Sequence, residues 1–155
     1  MLIGETVMDL IIEMGTIDDV LLVDASTPEF EQQHTQQSIT ARLNAKTSLI
    51  LVAKIKGLVV AYKIGYALSE NVFYSWLGAV VPAYRQQGIA TQLRVYQEQW
   101  AVNSGYSCIN VKSMNRYPGM LQLLINSGYQ IHGYQANEDD KYGENGKILF
   151  IKKLI

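Results

Sequence analysis

The segment Val80-Val81-Pro82-Ala83-Tyr84-Arg85-Gln86-Gln87-Gly88-Ile89-Ala90-Thr91 holds the residues whose types and spacing best suit chemistry. A strand-like apolar run precedes it, and a run with helical periodicity follows. The first N–H groups of a helix have no partner within it, and that end carries partial positive charge. Such a junction accepts anions, phosphate above all. Gly88 lets the backbone approach a ligand, and Ala90 keeps a nearby position small. The same residues also fit an ordinary strand-to-helix turn with a glycine in it. Neither G-x-G-x-x-G nor G-x-x-x-x-G-K-[ST] occurs, which argues against a dinucleotide fingerprint or a P-loop.

The elements that must position this segment can be read from period and punctuation. Asp9 to Met14 reads as a short strand around Leu10-Ile11-Ile12, and Ile17 to Val23 as a short helix opened by Asp18-Asp19. A helix is expected from Thr27 or Pro28 to about Leu43, with Thr27 as its cap or Ser26 and Glu29 as a capping box. Phe30 and Ile39 would be among its few apolar anchors. Ser48 to Ile55, Leu58 to Leu68 and Val72 to Val81 read as three strands joined by the turns Lys56-Gly57 and Glu70-Asn71. In the second strand Leu58, Val60, Tyr62, Ile64, Tyr66 and Leu68 share a face.

The period then changes. Ile89, Leu93, Tyr96 and Trp100 make one helical stripe, with Gln92, Gln97 and Glu98 off it, and Asn103-Ser104-Gly105 ends the helix. Ser107 to Lys112 is a strand. Pro118 to Asn126 is an amphipathic helix carrying Met120, Leu121, Leu124 and Ile125. Tyr129 to Gln135 and Lys147 to Leu154 are two final strands joined by a polar loop. The unit Val72 to Lys112 is a strand–helix–strand crossover, which makes its two strands parallel. A mixed α/β architecture follows.

Length and composition bound the function. With 155 residues and 48% hydrophobic content the chain supports one domain, 1–155, with a sizeable core. Only 17% of residues are charged and the net charge is -1, so the basic footprint of a nucleic-acid binder is missing. The single cysteine, Cys108, cannot form an intramolecular disulfide and fits a reducing compartment. The first ten residues lack the charge and apolar core of a signal peptide. No apolar run approaches the roughly 20 residues of a membrane helix. A soluble, cytoplasmic protein with no membrane partner is the expectation.

Arg85-Gln86-Gln87-Gly88-Ile89-Ala90 resembles the acetyl-CoA signature of the GNAT superfamily of N-acetyltransferases, (Arg/Gln)-x-x-Gly-x-(Gly/Ala). Val80-Val81-Pro82 resembles the strand end that leads into it, and the element order agrees on both sides. The resemblance implies a GNAT-like α/β (α+β) fold: a mixed, mostly antiparallel sheet of about seven strands flanked by helices, with a splayed parallel pair in the middle. It implies acetyl-CoA as co-substrate, with no metal, and an amine as acceptor. The amides of Gln86, Gln87, Gly88, Ile89, Ala90 and Thr91, with Arg85 just before them, would grip the pyrophosphate. The pantetheine arm would pair with backbone around Gly78, Ala79 and Val80. A backbone N–H near Val80 would polarise the thioester carbonyl. Transfer would be direct attack by a neutral amine in a ternary complex, which leaves Cys108 as a small buried hydrophobe.

The rest of the family's site is less complete here. Asn115 resembles the asparagine that contacts the pantetheine arm. Leu124 stands where the family's usual tyrosine, the proton donor to the departing thiolate, would be. Tyr117 is the candidate substitute, or it packs at the start of its helix. Many members carry a glutamate on the strand before the motif, but Val72-Phe73-Tyr74-Ser75-Trp76-Leu77 contains no acid, and Glu70 lies far back at its start. His34 could border an acceptor pocket or be an ordinary surface residue. The acidic loop Asn137 to Gly146 could steer a cationic amine or simply be a solvated hairpin loop. Tyr62, Tyr66, Tyr74 and Trp76 could line an acceptor pocket or pack in the core. The acceptor, a small molecule or a peptide amine, is not legible. A non-catalytic CoA-binding sensor or interaction module is the alternative. A homodimer through the final strand's edge rests on analogy with the family alone.

Overall fold

The structure is a computed structural model that describes residues 9–28 and 34–154. It has seven strands and, among the described residues, four α-helices. These are β1 (Leu10–Met14), α1 (Ile17–Ala25), α2 (Gln36–Leu43), β2 (Ser48–Ile55), β3 (Leu58–Ala67) and β4 (Val72–Val80). After a short 3-10 turn at Pro82–Tyr84 come α3 (Ile89–Asn103), β5 (Cys108–Met114), α4 (Pro118–Asn126), β6 (Gln130–Gln135) and β7 (Lys147–Lys153). The strands form one sheet in the order β1-β2-β3-β4-β5-β7-β6. The expected mixed sheet and its parallel middle pair, β4 with β5, are both present.

The chain divides into two compact units. The first takes in the residues up to Tyr66 and Leu77–Gln99. Its antiparallel strands are set in register by a two-residue hairpin, Ile55 opposite Leu58. Lys56 and Gly57 both have positive φ, 51° and 81°, the conformation that matches the twist of the flanking strands. The alternation read from β3 puts Val60, Tyr62, Ile64 and Tyr66 in the core, with Leu58 at one end exposed.

The helix expected from Thr27 or Pro28 to Leu43 is not one helix. Ser26 caps the C-terminus of α1, and the Thr27 hydroxyl donates 2.7 Å to the Val23 carbonyl in the last turn of that helix. The helix that carries Ile39 begins at Gln36. Its capping box is Thr35 with Ser38: the Thr35 hydroxyl accepts from the Ser38 N–H, and the Ser38 hydroxyl accepts from the Thr35 N–H. Glu29 and Phe30 lie outside the described residues.

The second unit takes in Ala67–Trp76 and the residues from Trp100 on. Here β4 and β5 run parallel from Val72 opposite Cys108 to Ser75 opposite Val111, and β4 continues to Val80. β7 pairs antiparallel with β5 on one side and β6 on the other. Phe73 anchors an aromatic cluster with Trp100 and Tyr106, ring centroids 5.1 and 5.2 Å away. This packing holds the start of β4 against the C-terminal end of α3.

Candidate functional site

In the first unit the last residues of β4 lead through the Pro82–Tyr84 turn to α3. The Val81 N–H donates 2.9 Å to the Val60 carbonyl, which ties the strand end to β3. Because successive backbone groups of a strand alternate between its edges, the N–H of Val80 points away from β3. The Val80 carbonyl, on that same outer side, accepts a 3.0 Å bond from Arg85 Nε. Two residues back, Gly78 is exposed and adds no side chain.

The loop itself is built from two left-handed residues, Gln86 at φ 62° and Gly88 at φ 82°. Both conformations turn the chain sharply between the strand end and α3. The first bond within α3 runs from the Gln92 N–H to the Gly88 carbonyl, 3.1 Å. The N–H groups of Gly88, Ile89, Ala90 and Thr91 therefore precede any partner within the helix. Ile89 is buried and fixes the helix start, while Gln86, Gln87, Gly88, Ala90 and Thr91 are exposed. Every residue expected at the phosphate loop, together with Gly78, Ala79 and Val80, falls in this unit on one continuous stretch.

The α3 stripe differs from the expected one. Ile89 and Leu93 are buried, but Tyr96 is 44% exposed and Gln97, expected off the stripe, is fully buried. Gln97 follows Leu93 by four residues and so lies on the same face. Neither of its amide atoms has a hydrogen-bond partner. One turn back, Arg94 Nη1 donates 3.0 Å to Glu98 Oε2, a pair with little exposed surface. Opposite them on β3 is Lys63, half-buried. Its removal from water, with the charge of Arg94, pushes its ammonium down to about 8 against the opposing pull of Glu98. A methyl group built on Gly78 would stand 3.8 Å from Lys63 Nζ and 3.5 Å from the Tyr62 carbonyl oxygen. Lys63 was missed in the sequence. Its signal is a lysine inside an otherwise apolar strand that also precedes an Arg–Glu pair at i,i+4 on the following helix.

The opposite side of β3 carries Tyr62 and Tyr66, which are core residues here. The Tyr62 hydroxyl donates 2.7 Å to Asp24 Oδ1 on α1, and Arg42 Nη1 donates 3.2 Å to the Tyr66 hydroxyl. His34 is half-buried and acts electrostatically on Asp24.

The second unit holds the remaining candidates. Asn115 is exposed, and its Nδ2 donates 2.9 Å to the Gly143 carbonyl, which joins the turn after β5 to the acidic loop. Tyr117 is the N-cap residue of α4 and is 49% exposed, with no side-chain cap bond. Leu124 is 4% exposed, an ordinary core residue. Cys108 is half-buried, and burial pushes its thiol up, away from the thiolate a nucleophile needs. In the acidic loop, Asp140 is taken up by structure: Oδ2 accepts from the N–H groups of Asn145 and Gly146. Two shallow surface depressions lie on α2, along Gln36, Thr40 and Asn44, and beside the 135–147 loop; Val80 to Thr91 line neither.

Among the described residues no cluster of His, Cys, Asp or Glu could hold a metal, and no helix is long and apolar enough to cross a membrane.

The sequence profile of the acetyltransferase (GNAT) family matches residues 20–118, well over half of the chain. The chain belongs to the GNAT acetyltransferase family. Solved structures repeat the fold. A GNAT acetyltransferase from Elizabethkingia anophelis with acetyl-CoA bound superposes with a TM-score of 0.73 at 21% identity, covering 94% of this chain and 98% of that one. Ard1 from Thermoplasma volcanium reaches 0.80 at 15% identity over 94% and 98%. The ribosomal-protein-S18-alanine N-acetyltransferase of Escherichia coli reaches 0.79 at 13% identity over 94% of both chains. At these identities the GNAT neighbours speak for the fold alone. A search of curated protein sequences finds no match.

Proposed function

We propose that this GNAT protein is an N-acetyltransferase that moves the acetyl group of acetyl-CoA to a primary amine by direct attack in a ternary complex. The observation that carries the proposal is the β4–α3 junction. Two left-handed residues lead into a run of helix-start N–H groups with no partner within the helix, the kind of end that accepts an anion, and the bare, exposed Gly78 precedes them. The pyrophosphate of acetyl-CoA takes the amides from Gln86 to Thr91, with Arg85 beside them. The pantetheine arm pairs with the backbone of Gly78, Ala79 and Val80. The outward Val80 N–H polarises the thioester carbonyl and holds the oxyanion as the amine attacks. The resemblance assigns Asn115 to the pantetheine arm, and the proposal keeps that assignment. Tyr117, exposed at the start of the same helix, is the candidate substitute for the proton donor that Leu124 replaces.

The acceptor is a small-molecule or peptide amine. The balanced charge of the chain supports no nucleic-acid partner, and its single cysteine supports a cytoplasmic location. The final strand, β7, is paired on both sides by β5 and β6 and has no free edge for the expected homodimer contact; the edge left on that side of the sheet is β6.

One observation favours a second reading, a CoA-binding sensor without turnover: buried Leu124 has no proton to give, and β4 offers no carboxylate. Thiol release from acetyl-CoA against a panel of small amines and N-terminal peptides separates the two. Release above the buffer rate with any amine supports the enzyme. Tight binding of acetyl-CoA with no release across the panel supports the sensor.

A further inference from the structure

We propose that Lys63 is the proton donor to the sulfur of coenzyme A as the thioester breaks. The inference rests on the acetyl-CoA reading above and supplies the group that Leu124 leaves missing.

Three observations carry it. First, Lys63 Nζ lies 3.8 Å from where a β-carbon on Gly78 would be. Gly78 is the first residue of the strand segment assigned to the pantetheine arm. Because it has no side chain, nothing of its own stands between that backbone and the ammonium. Second, the ammonium lies within electrostatic reach of an ion pair on α3, Arg94 bound to Glu98. From β2, Leu51 stands directly opposite Lys63 and is fully buried. A lysine and an arginine on one patch with a single carboxylate leave net positive charge beside Gly78, suited to the negative charge that develops on a departing thiolate. Third, of the two cations only the lysine can release a proton, since an arginine keeps its own throughout. Removal from water, with the charge of Arg94, pushes Lys63 down to about 8, nearer the working pH, where a general acid gives up its proton more readily than an ordinary lysine.

The step balances as follows. The acceptor nitrogen attacks the thioester carbon and forms the C–N bond. The tetrahedral adduct collapses, the C–S bond breaks, and its electron pair goes to sulfur. Lys63 Nζ gives a proton to that sulfur, and coenzyme A leaves as the thiol. The proton lost by the acceptor nitrogen passes to water, and Lys63 takes one back from water. As pH rises through about 8 the ammonium is lost, and with it the transfer.

The first part of the test needs no acceptor. Free coenzyme A is bound to the full chain, and the ultraviolet absorbance of its thiolate is followed against pH in the wild type, Lys63→Met and Lys63→Arg. In the wild type the nearby ammonium lowers the titration of the bound thiol. Lys63→Met raises it by about one unit, the effect of removing one close opposite charge, while Lys63→Arg keeps it low. Thiol release from acetyl-CoA with hydroxylamine as the probe amine then falls about a hundredfold in both variants, because the arginine supplies charge but no proton. An unchanged thiol titration in Lys63→Met with coenzyme A still bound overturns the inference. So does wild-type turnover in Lys63→Arg, or an equal loss in Tyr117→Phe with Lys63 intact. Should Lys63→Met not fold, the arginine variant and the wild-type titration decide alone. Failure of the wild type to bind coenzyme A is a separate result, and it overturns the acetyl-CoA reading itself.

Discussion

The Tyr62 hydroxyl donates a 2.7 Å hydrogen bond to Oδ1 of Asp24, joining β3 to α1 across 38 residues of sequence. Both groups are buried, and the second carboxylate oxygen of Asp24 has no partner. Burial raises the Asp24 carboxyl above its ordinary value, opposed by the Tyr62 bond and by His34. The same burial, with the bond and the charge of Asp24, holds the Tyr62 phenol far above the usual range.

The pair sets a pH dependence with a definite sign. A carboxyl whose folded value is raised contributes stability below its unfolded value and loses it as pH rises through the folded one. Asp24→Asn keeps an acceptor for Tyr62 and carries no charge, so it flattens this decline and is at least as stable as the wild type at neutral pH. Tyr62→Phe removes the donor and costs about 1–3 kcal/mol, more at neutral than at acid pH. Urea unfolding at several pH values measures both. Equal loss in Tyr62→Phe at acid and neutral pH would show that Asp24 is not charged in the folded state.

Gln97 gives the opposite kind of prediction. Its amide is fully buried and unpaired, so Gln97→Met, close in volume and without that polar group, stabilises the protein by about 1–3 kcal/mol. A rise in the urea midpoint with an unchanged slope is the expected result. A fall would mean that the amide holds a buried water.

Gly88 is needed for its backbone and not for space. Its φ is 82°, and a β-carbon there would meet nothing within 4 Å. Gly88→Ala therefore costs about 1–2 kcal/mol from the left-handed conformation alone. Gly88→Glu adds a carboxylate at the helix-start amides and abolishes acetyl-CoA binding. Gln86→Gly relieves the same strain at φ 62° and leaves binding intact. Thermal unfolding with and without acetyl-CoA separates strain from ligand contact. Undiminished binding in Gly88→Glu would remove the phosphate role from this loop.

Asp140 is a staple of its loop rather than a steering charge. Partial desolvation pushes its carboxyl up, but the N–H groups of Asn145, Gly146, Glu144 and Tyr142 outweigh it and hold the group below its ordinary value. A lowered carboxyl contributes stability above its unfolded value and loses it as pH falls through the folded one. Asp140→Asn is expected to speed hydrogen exchange across 140–146 at neutral pH, and the wild-type loop to loosen in the same way at acid pH. Unchanged exchange in the variant would return Asp140 to the surface charges.

Much of this was legible in the sequence, and the failures have physical causes. The Lys56-Gly57 turn is a local signal and appears where expected, while the β3 alternation holds for Val60, Tyr62, Ile64 and Tyr66 but not for its two ends, Leu58 and Leu68, which are exposed. Thr27-Pro28 carried a signal for the start of the helix that reaches Leu43, but that helix takes its cap from Thr35, and the Thr27 hydroxyl bonds back into the last turn of α1. The polarity of Gln97 points off the stripe, but its spacing of four from Leu93 puts it inside. The strand-to-helix junction at Val80 to Thr91 was legible because glycine, helix start and strand end are contiguous. Lys63 was not, because its neighbours Gly78, Arg94 and Glu98 come together only in the folded chain.

Calorimetric titration of the purified protein with acetyl-CoA, beside Gly88→Glu, tests the central claim most directly. The account predicts one site per chain in the wild type and none in the variant, with both folded by circular dichroism. A folded wild type that takes up no acetyl-CoA would contradict the account at its base.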